Sequence, residues 1–158
     1  MYAPEYDMAD ETTRADRLPK DFGNDHPEVI RLKAIRAERE KELKDLQKMF
    51  SDFDSWRCER IGEIDRAACE IAEIDRRRPQ LLADIFMGDR DFTPDDEAQD
   101  RRAELQVNID RLNLAMPLLN NQRRNQEDQV QAAHRRYSLA CQDVDALLAK
   151  LRLEHVRR

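Results

Sequence analysis

The feature that most constrains this chain is apolar spacing that runs in steps of four and three residues through two long stretches. The clearer stretch reads Leu105, Ile109, Leu112, Met116, Leu119, Arg123, Gln126, Val130, Ala133, Tyr137, Ala140, Val144, Leu147 and Leu151. The other starts at Val29 and continues through Leu32, Arg36, Arg39, Leu43, Leu46, Phe50, Phe53, Arg57, Arg60, Ile64, Ala67, Ile71, Ile74, Arg78 and Leu81 to Ile85. A 4-3 repeat keeps one stripe of each α-helix facing a partner helix, which is the pattern of a left-handed coiled coil. Strands alternate with period two and cannot use such spacing.

Between the stretches lies GDRDFTPDDE, residues 88–97. Gly88 suits a helix C-cap and Thr93 an N-cap, with Pro94 at the first helical position and Asp95, Asp96 and Glu97 at the positive helix end. One turn near residue 91 makes the helices antiparallel. The expected fold is therefore all-α: a long antiparallel two-helix coiled-coil hairpin over 26–158, with helices 27–88 and 94–155 joined by a turn at 89–93. Helices of roughly 60 residues would extend on the order of 90 Å at about 1.5 Å per residue. Pro79 and Pro117 fall inside the helical pattern and predict a kink or break near the turn.

Facing layers whose numbers add to about 183 would set Leu43 on Ala140 and Phe50 on Ala133, large against small. The same register sets Arg57 against Gln126 and Arg60 against Arg123, so both seams carry their polar interruption at one level. Such arginines need carboxylates, and Asp54, Glu63 and Glu127 are near enough in sequence to serve. The alternative is that a partner helix supplies the acids, and self-association remains open.

Residues 1–25 differ in kind. Seven acids and three bases leave them at −4, against −2 for the remainder with 27 acids and 25 bases. With Pro4, Pro19 and Gly23 and no apolar stripe, the segment is expected to be an acidic disordered tail, in which Tyr2, Tyr6 and Phe22 are candidate anchors to a partner.

The composition excludes several classes of chemistry. Three glycines build no phosphate-cradling loop, and aromatics at 6% with few turn residues do not suit a sheet protein. His26, His134 and His155 are scattered, and Cys58, Cys69 and Cys141 contain no CxxC, so neither metal nor cofactor is expected. The thiols read as buried or half-buried, and a two-helix rod offers no concave pocket in which to desolvate a catalytic group. The expectation is a non-enzyme. No apolar run reaches the roughly 20 residues of a membrane span, and the first residues lack a secretory pattern. Basic clusters such as Arg76-Arg77-Arg78 and Arg123-Arg124 sit among acids at a net charge of −6, which argues against a nucleic-acid stripe.

The stretch VIRLKAIRAEREKEL (29–43), followed by FDSWRCERIGEI (53–64), resembles the opening of the type III secretion and flagellar export central stalk proteins, the YscO/SctO group related to FliJ. The matching positions are Leu32, Lys33, Ile35, Arg36 and Arg39, then Trp56, Arg57 and Glu59. ALLAKLRLEH (146–155) is similar to the end of that family's second helix. The resemblance covers roughly residues 29–60 and 100–155. The longer tail, the long segment from Trp56 to Gly88 and the internal prolines depart from it.

The resemblance implies a bacterial, cytoplasmic protein, peripheral to a membrane-embedded export apparatus, that does no chemistry itself. Its hairpin would couple a hexameric export ATPase to the export gate and would also escort empty secretion chaperones. It implies Leu32, Arg36 and Arg39 at the ATPase end and Phe50, Phe53, Trp56 and Arg57 as a mid-hairpin recognition patch, beside the Arg60 and Arg123 layer. Phe50 and Phe53 are also explained by seam packing. Trp56 lies just off the seam, where a two-stranded rod has little depth to bury an indole, and reads as a contact for a partner. The alternatives are a structural or assembly coiled coil, as in a phage or secretion-machine scaffold, and a small helical inhibitor of a partner protein.

Overall fold

The computed structural model describes residues 8–158, in the order α1 (Met8–Asp16), α2 (Pro27–Met87) and α3 (Thr93–Arg157). There is no strand among the described residues. Helices α2 and α3 pack against each other as a hairpin, with boundaries within two residues of those read from the spacing. The two stripes account for the core. Apart from Ala15 in α1, every buried apolar side chain among the described residues occupies a seam position: Val29, Leu43, Ile71, Ile85, Leu105, Ala133, Ala140 and Val144. A two-stranded packing buries one stripe per helix, and Val29 and Val144 are the largest side chains fully enclosed among the described residues.

Both helices run unbroken through Pro79 and Pro117, so of the kink or break expected there the break does not occur. Each proline lies on an exposed face, where the carbonyl it frees is open to solvent.

The chain divides into two compact units, Met1–Lys48 with Asp128–Arg158 and Met49–Glu127. In the second unit the turn is built differently from its sequence signature. The residue with positive φ is Arg90 (φ 57°), not Gly88, and its N–H reaches back to the Ile85 carbonyl at 3.1 Å. At the start of α3 the first helical bond runs from Asp96 N–H to the Phe92 carbonyl, which makes Thr93 the first helical residue instead of the cap. The capping side chain is Asp91, whose Oδ1 accepts the Thr93 N–H at 3.0 Å, and these bonds hold its carboxyl below the usual range. Asp95, buried in the first turn, takes both arms of the Arg78 guanidinium at 3.0 and 3.2 Å. Phe86 and Phe92 meet edge to face across the turn, with ring centroids 5.4 Å apart.

The register also differs. Arg123 reaches Asp54 rather than facing Arg60, and Arg57 reaches Asn120 rather than Gln126, a displacement of roughly one heptad. Within the other unit Arg136 reaches Glu42, displaced the same way. A slip of one heptad leaves the apolar stripe matched, so apolar spacing does not choose between the two registers. The charges do: the observed register separates the two arginines and gives each a carboxylate.

The largest departure concerns the segment expected to be a disordered tail. Residues 1–7 lie outside the described residues, and with them the anchors Tyr2 and Tyr6. From Met8 onward the chain is ordered, and 8–26 fold against the last turns of α3. Glu11, almost fully buried, accepts from Arg157 Nε at 3.1 Å. The Arg152 guanidinium donates to the carbonyls of Pro19 and Lys20, and the Phe22 ring lies 4.9 Å from that of His155. Gly23, at φ 85°, sits so near Leu148 and Leu151 that an added Cβ would come within 3.3 and 3.5 Å of their methyls. Successive turns bonded from 15 to 26 lead into α2. There His26 caps the helix, its Nδ1 accepting the Glu28 N–H at 3.2 Å. The acidic segment folds because the basic, leucine-bearing end of α3 supplies the apolar surface and cations that it lacks alone.

Candidate protein-binding site

Six of the nine residues singled out in the sequence come together in the Met49–Glu127 unit. Their organiser is Asp54. Its Oδ1 accepts from Arg123 Nε at 2.7 Å across the hairpin and from Arg57 one turn along its own helix at 3.3 Å. Chiefly through the Arg123 bond, then through Arg57, these guanidiniums hold the Asp54 carboxyl below its ordinary range, and Asp54 raises Arg123 in return. Arg57, whose side chain is the most buried of the group at 16% exposed, also donates to Asn120 Oδ1 at 3.0 Å. Arg123 further reaches Glu127 at 3.5 Å and lies over the Phe50 ring, 5.3 Å from its centroid.

Arg60 pairs with Glu63 at 3.2 Å and Glu59 at 3.4 Å. All three carboxylates anticipated for the arginine layer thus serve it from within the chain. Two polar atoms on the seams stay buried without a hydrogen bond, Arg60 Nε and Gln126 Oε1.

The aromatic residues separate by role. Phe50 and Phe53 are half-buried along the seam. Trp56 is 43% exposed, its ring 5.9 Å from Phe53 and roofed on one side by the Arg60 guanidinium at 5.4 Å. An indole in contact with a phenyl ring and a cation, with nearly half its surface toward solvent, is held in place and still open to contact, which makes it a candidate anchor. Sequence reasoning located these side chains but missed Asn120. An asparagine off the seam carries no pattern that marks it.

Leu32, Arg36 and Arg39 are not part of this cluster and belong to the other unit, all half-buried. Arg39 pairs with Glu42 at 3.3 Å. Arg36 lies near Tyr137, whose phenol is pushed up mainly by its hydrogen bond with Cys141, with Arg36 opposing.

The expectation of no concavity does not hold in that unit. The folded segment 19–27 and the end of α3 enclose an open cleft of about 1000 Å³, walled by Phe22, His26, Leu151, His155 and Arg158 among others. It arises because the N-terminal segment folds, which apolar spacing did not foretell. Cys58 and Cys69 are exposed and Cys141 half-buried, so two thiols are more open than their type suggested. Helix α2 turns them outward from a seam only one stripe wide. Among the described residues no group of His, Cys, Asp or Glu is arranged to hold a metal ion, and no helix is long and apolar enough to cross a membrane.

No protein-family model matches the chain, and no curated protein or solved structure matches it with significance.

Proposed function

We propose that this chain is a non-catalytic coiled-coil adaptor whose hairpin is engaged by a protein partner at Trp56. The observation that carries this reading is the indole itself. It is held between Phe53 and Arg60 with 43% of its surface exposed, beside a charged layer whose acids and bases are already paired. Because the charges of that layer are paired within the chain, a partner meets a preformed surface and need not supply buried countercharges.

The resemblance of 29–43 and 53–64 to export stalk proteins directs the choice of partner toward a hexameric export ATPase. On that reading Leu32, Arg36 and Arg39 lie at the inserted end and Trp56 marks the flank seen by a gate subunit or a chaperone. Residues 8–26 then enter the ATPase together with the hairpin end or are displaced from it.

The test is affinity capture of the tagged full chain from its native cells, beside the Trp56→Ala chain, with mass spectrometry of what is bound. Recovery of a hexameric export ATPase or a gate subunit, reduced at least about tenfold by Trp56→Ala, supports the reading; truncation of a central aromatic anchor typically costs about 2 kcal/mol or more. Stimulation of the purified ATPase follows as the second assay. Capsid, tail or nuclease components in place of any ATPase would reassign the chain to the scaffold or inhibitor class. A partner bound equally by Trp56→Ala would remove the indole from the site.

A further inference from the structure

Helix α3 carries a second apolar stripe, on the face opposite its seam. Val107, Leu114 and Leu118 are 45%, 83% and 73% exposed, while the seam residue of the same region, Leu105, is buried. At about 100° per residue, Leu114 points nearly opposite to the seam residue Leu112. The outward positions Val107, Arg111, Leu114, Leu118, Asn121 and Asn125 repeat the 4-3-4-3 spacing of a coiled-coil face, and all lie within the Met49–Glu127 unit.

The charges beside this stripe identify its occupant. The flanking positions on one side are Asp110, Pro117 and Arg124; on the other side they are Asn108, Ala115 and Gln122, all neutral. Asp110 is bonded only by the Gln106 amide, at 2.9 Å, and Arg111 and Arg124 hold no ion pair among the described residues. In an antiparallel pair of coiled-coil helices, like flanks face each other. A second α3 laid antiparallel, with its two-fold axis at Pro117, sets Asp110 against Arg124 of the second copy, and Arg124 against its Asp110. The same placement sets Leu114 on Leu118 twice and gives each Arg111 guanidinium the amide oxygen of Asn121. A parallel pairing stacks Arg111 on Arg111 and leaves both flanking charges against neutral residues. The face is complementary to itself in one orientation only, which is the property of an isologous dimer contact.

We infer that the outer face of α3, centred on Leu114 and Leu118, is a homodimerisation surface in which two copies of this chain pair antiparallel about Pro117. Three apolar side chains per copy make a small interface, so the dimer is reversible, with a dissociation constant on the order of 100 µM.

Sedimentation velocity of the full chain, at loadings from about 10 µM to 1 mM, tests this. The wild type is expected to move from monomer to dimer across that range. Leu114→Glu with Leu118→Glu is expected to weaken association at least about a hundredfold, and since both side chains are already exposed, its circular dichroism should be unchanged. Asp110→Arg or Arg124→Asp alone is expected to weaken it about three- to tenfold, with the double reversal restoring it. A wild type that stays monomeric at about 1 mM overturns the inference. So does association that survives the glutamates, or a double reversal no better than the single ones.

Discussion

Replacing Asp54 by Asn changes one charge at the centre of the arginine layer while preserving shape and one acceptor oxygen. In the wild type that carboxylate receives Arg123 across the hairpin at 2.7 Å and Arg57 along α2 at 3.3 Å. The magnitude follows from exposure. The Arg123–Asp54 pair is about one-third exposed on both sides, which places it near the upper end of the roughly 0.2–1 kcal/mol of surface pairs. The Arg57 side chain is only 16% exposed, and losing its countercharge leaves it with Asn120 and facing a second guanidinium, which adds a similar amount. The expected loss is about 1–2 kcal/mol, or a Tm lower by about 3–6 °C for a chain of this size.

The same carboxylate predicts a pH signature. Asp54 titrates below its ordinary value in the folded protein, with the Arg123 bond as the main cause. A depressed carboxylate contributes stability that is complete above its unfolded pKa of about 3.9 and is lost as pH falls through the lower folded value. The Tm difference between wild type and Asp54→Asn should therefore be full near pH 7, begin to narrow only below about pH 4 and close as pH falls through the lower folded value. Thermal unfolding followed by circular dichroism, at pH 7 and in steps downward from about pH 4, measures it. Equal Tm values at pH 7, or a gap that persists undiminished in acid, would refute the claim that the Asp54 charge organises this layer.

Three further perturbations follow from the geometry. Gly23→Ala forces a side chain into φ 85° and against the Leu148 methyl at 3.3 Å; it should release segment 8–26 from α3, read as loss of amide protection there, with the Tm lowered by several degrees. Arg90→Gly removes a left-handed residue strained by about 1–2 kcal/mol and returns part of that as unfolded-state entropy, so a net gain of about 0.5–1 kcal/mol should appear as a higher denaturant midpoint at an unchanged m-value. Gln126→Leu replaces a seam amide whose Oε1 is buried without a donor; stability should rise by about 1 kcal/mol, and a drop would mean that the amide is satisfied.

The candidate site was legible in the sequence to the extent that it depended on periodicity. Phe50, Phe53, Arg57 and Arg60 fall on one stripe and Arg123 on the other, so a polar interruption in each stripe follows from counting alone, and so does the off-seam position of Trp56. The choice of partner for each arginine did not. Asp54, Glu63 and Glu127 could be named as a set, but which carboxylate crosses to which helix depends on axial alignment, which a heptad repeat specifies only to within multiples of seven residues.

The sequence by itself determined the two helices, their ends to within two residues (27–88 and 94–155 as read, 27–87 and 93–157 in the structure), the single turn between them and the stripes that meet. Each of these rests on local propensity and on spacing within a few turns, which act before any tertiary contact exists. Only the tertiary structure decided three other things: the one-heptad displacement of the register, the use of Arg90 and Asp91 in place of Gly88 and Thr93 at the turn, and the folding of 8–26. Each depends on contacts that apolar spacing does not encode, and the first and the last join residues far apart in the chain. Arg123 finds Asp54, Phe86 meets Phe92 across the turn, and Glu11 and Gly23 fold only against Arg157, Leu148 and Leu151. An acidic segment without its own apolar stripe reads as unstructured until the surface that completes it has been placed beside it.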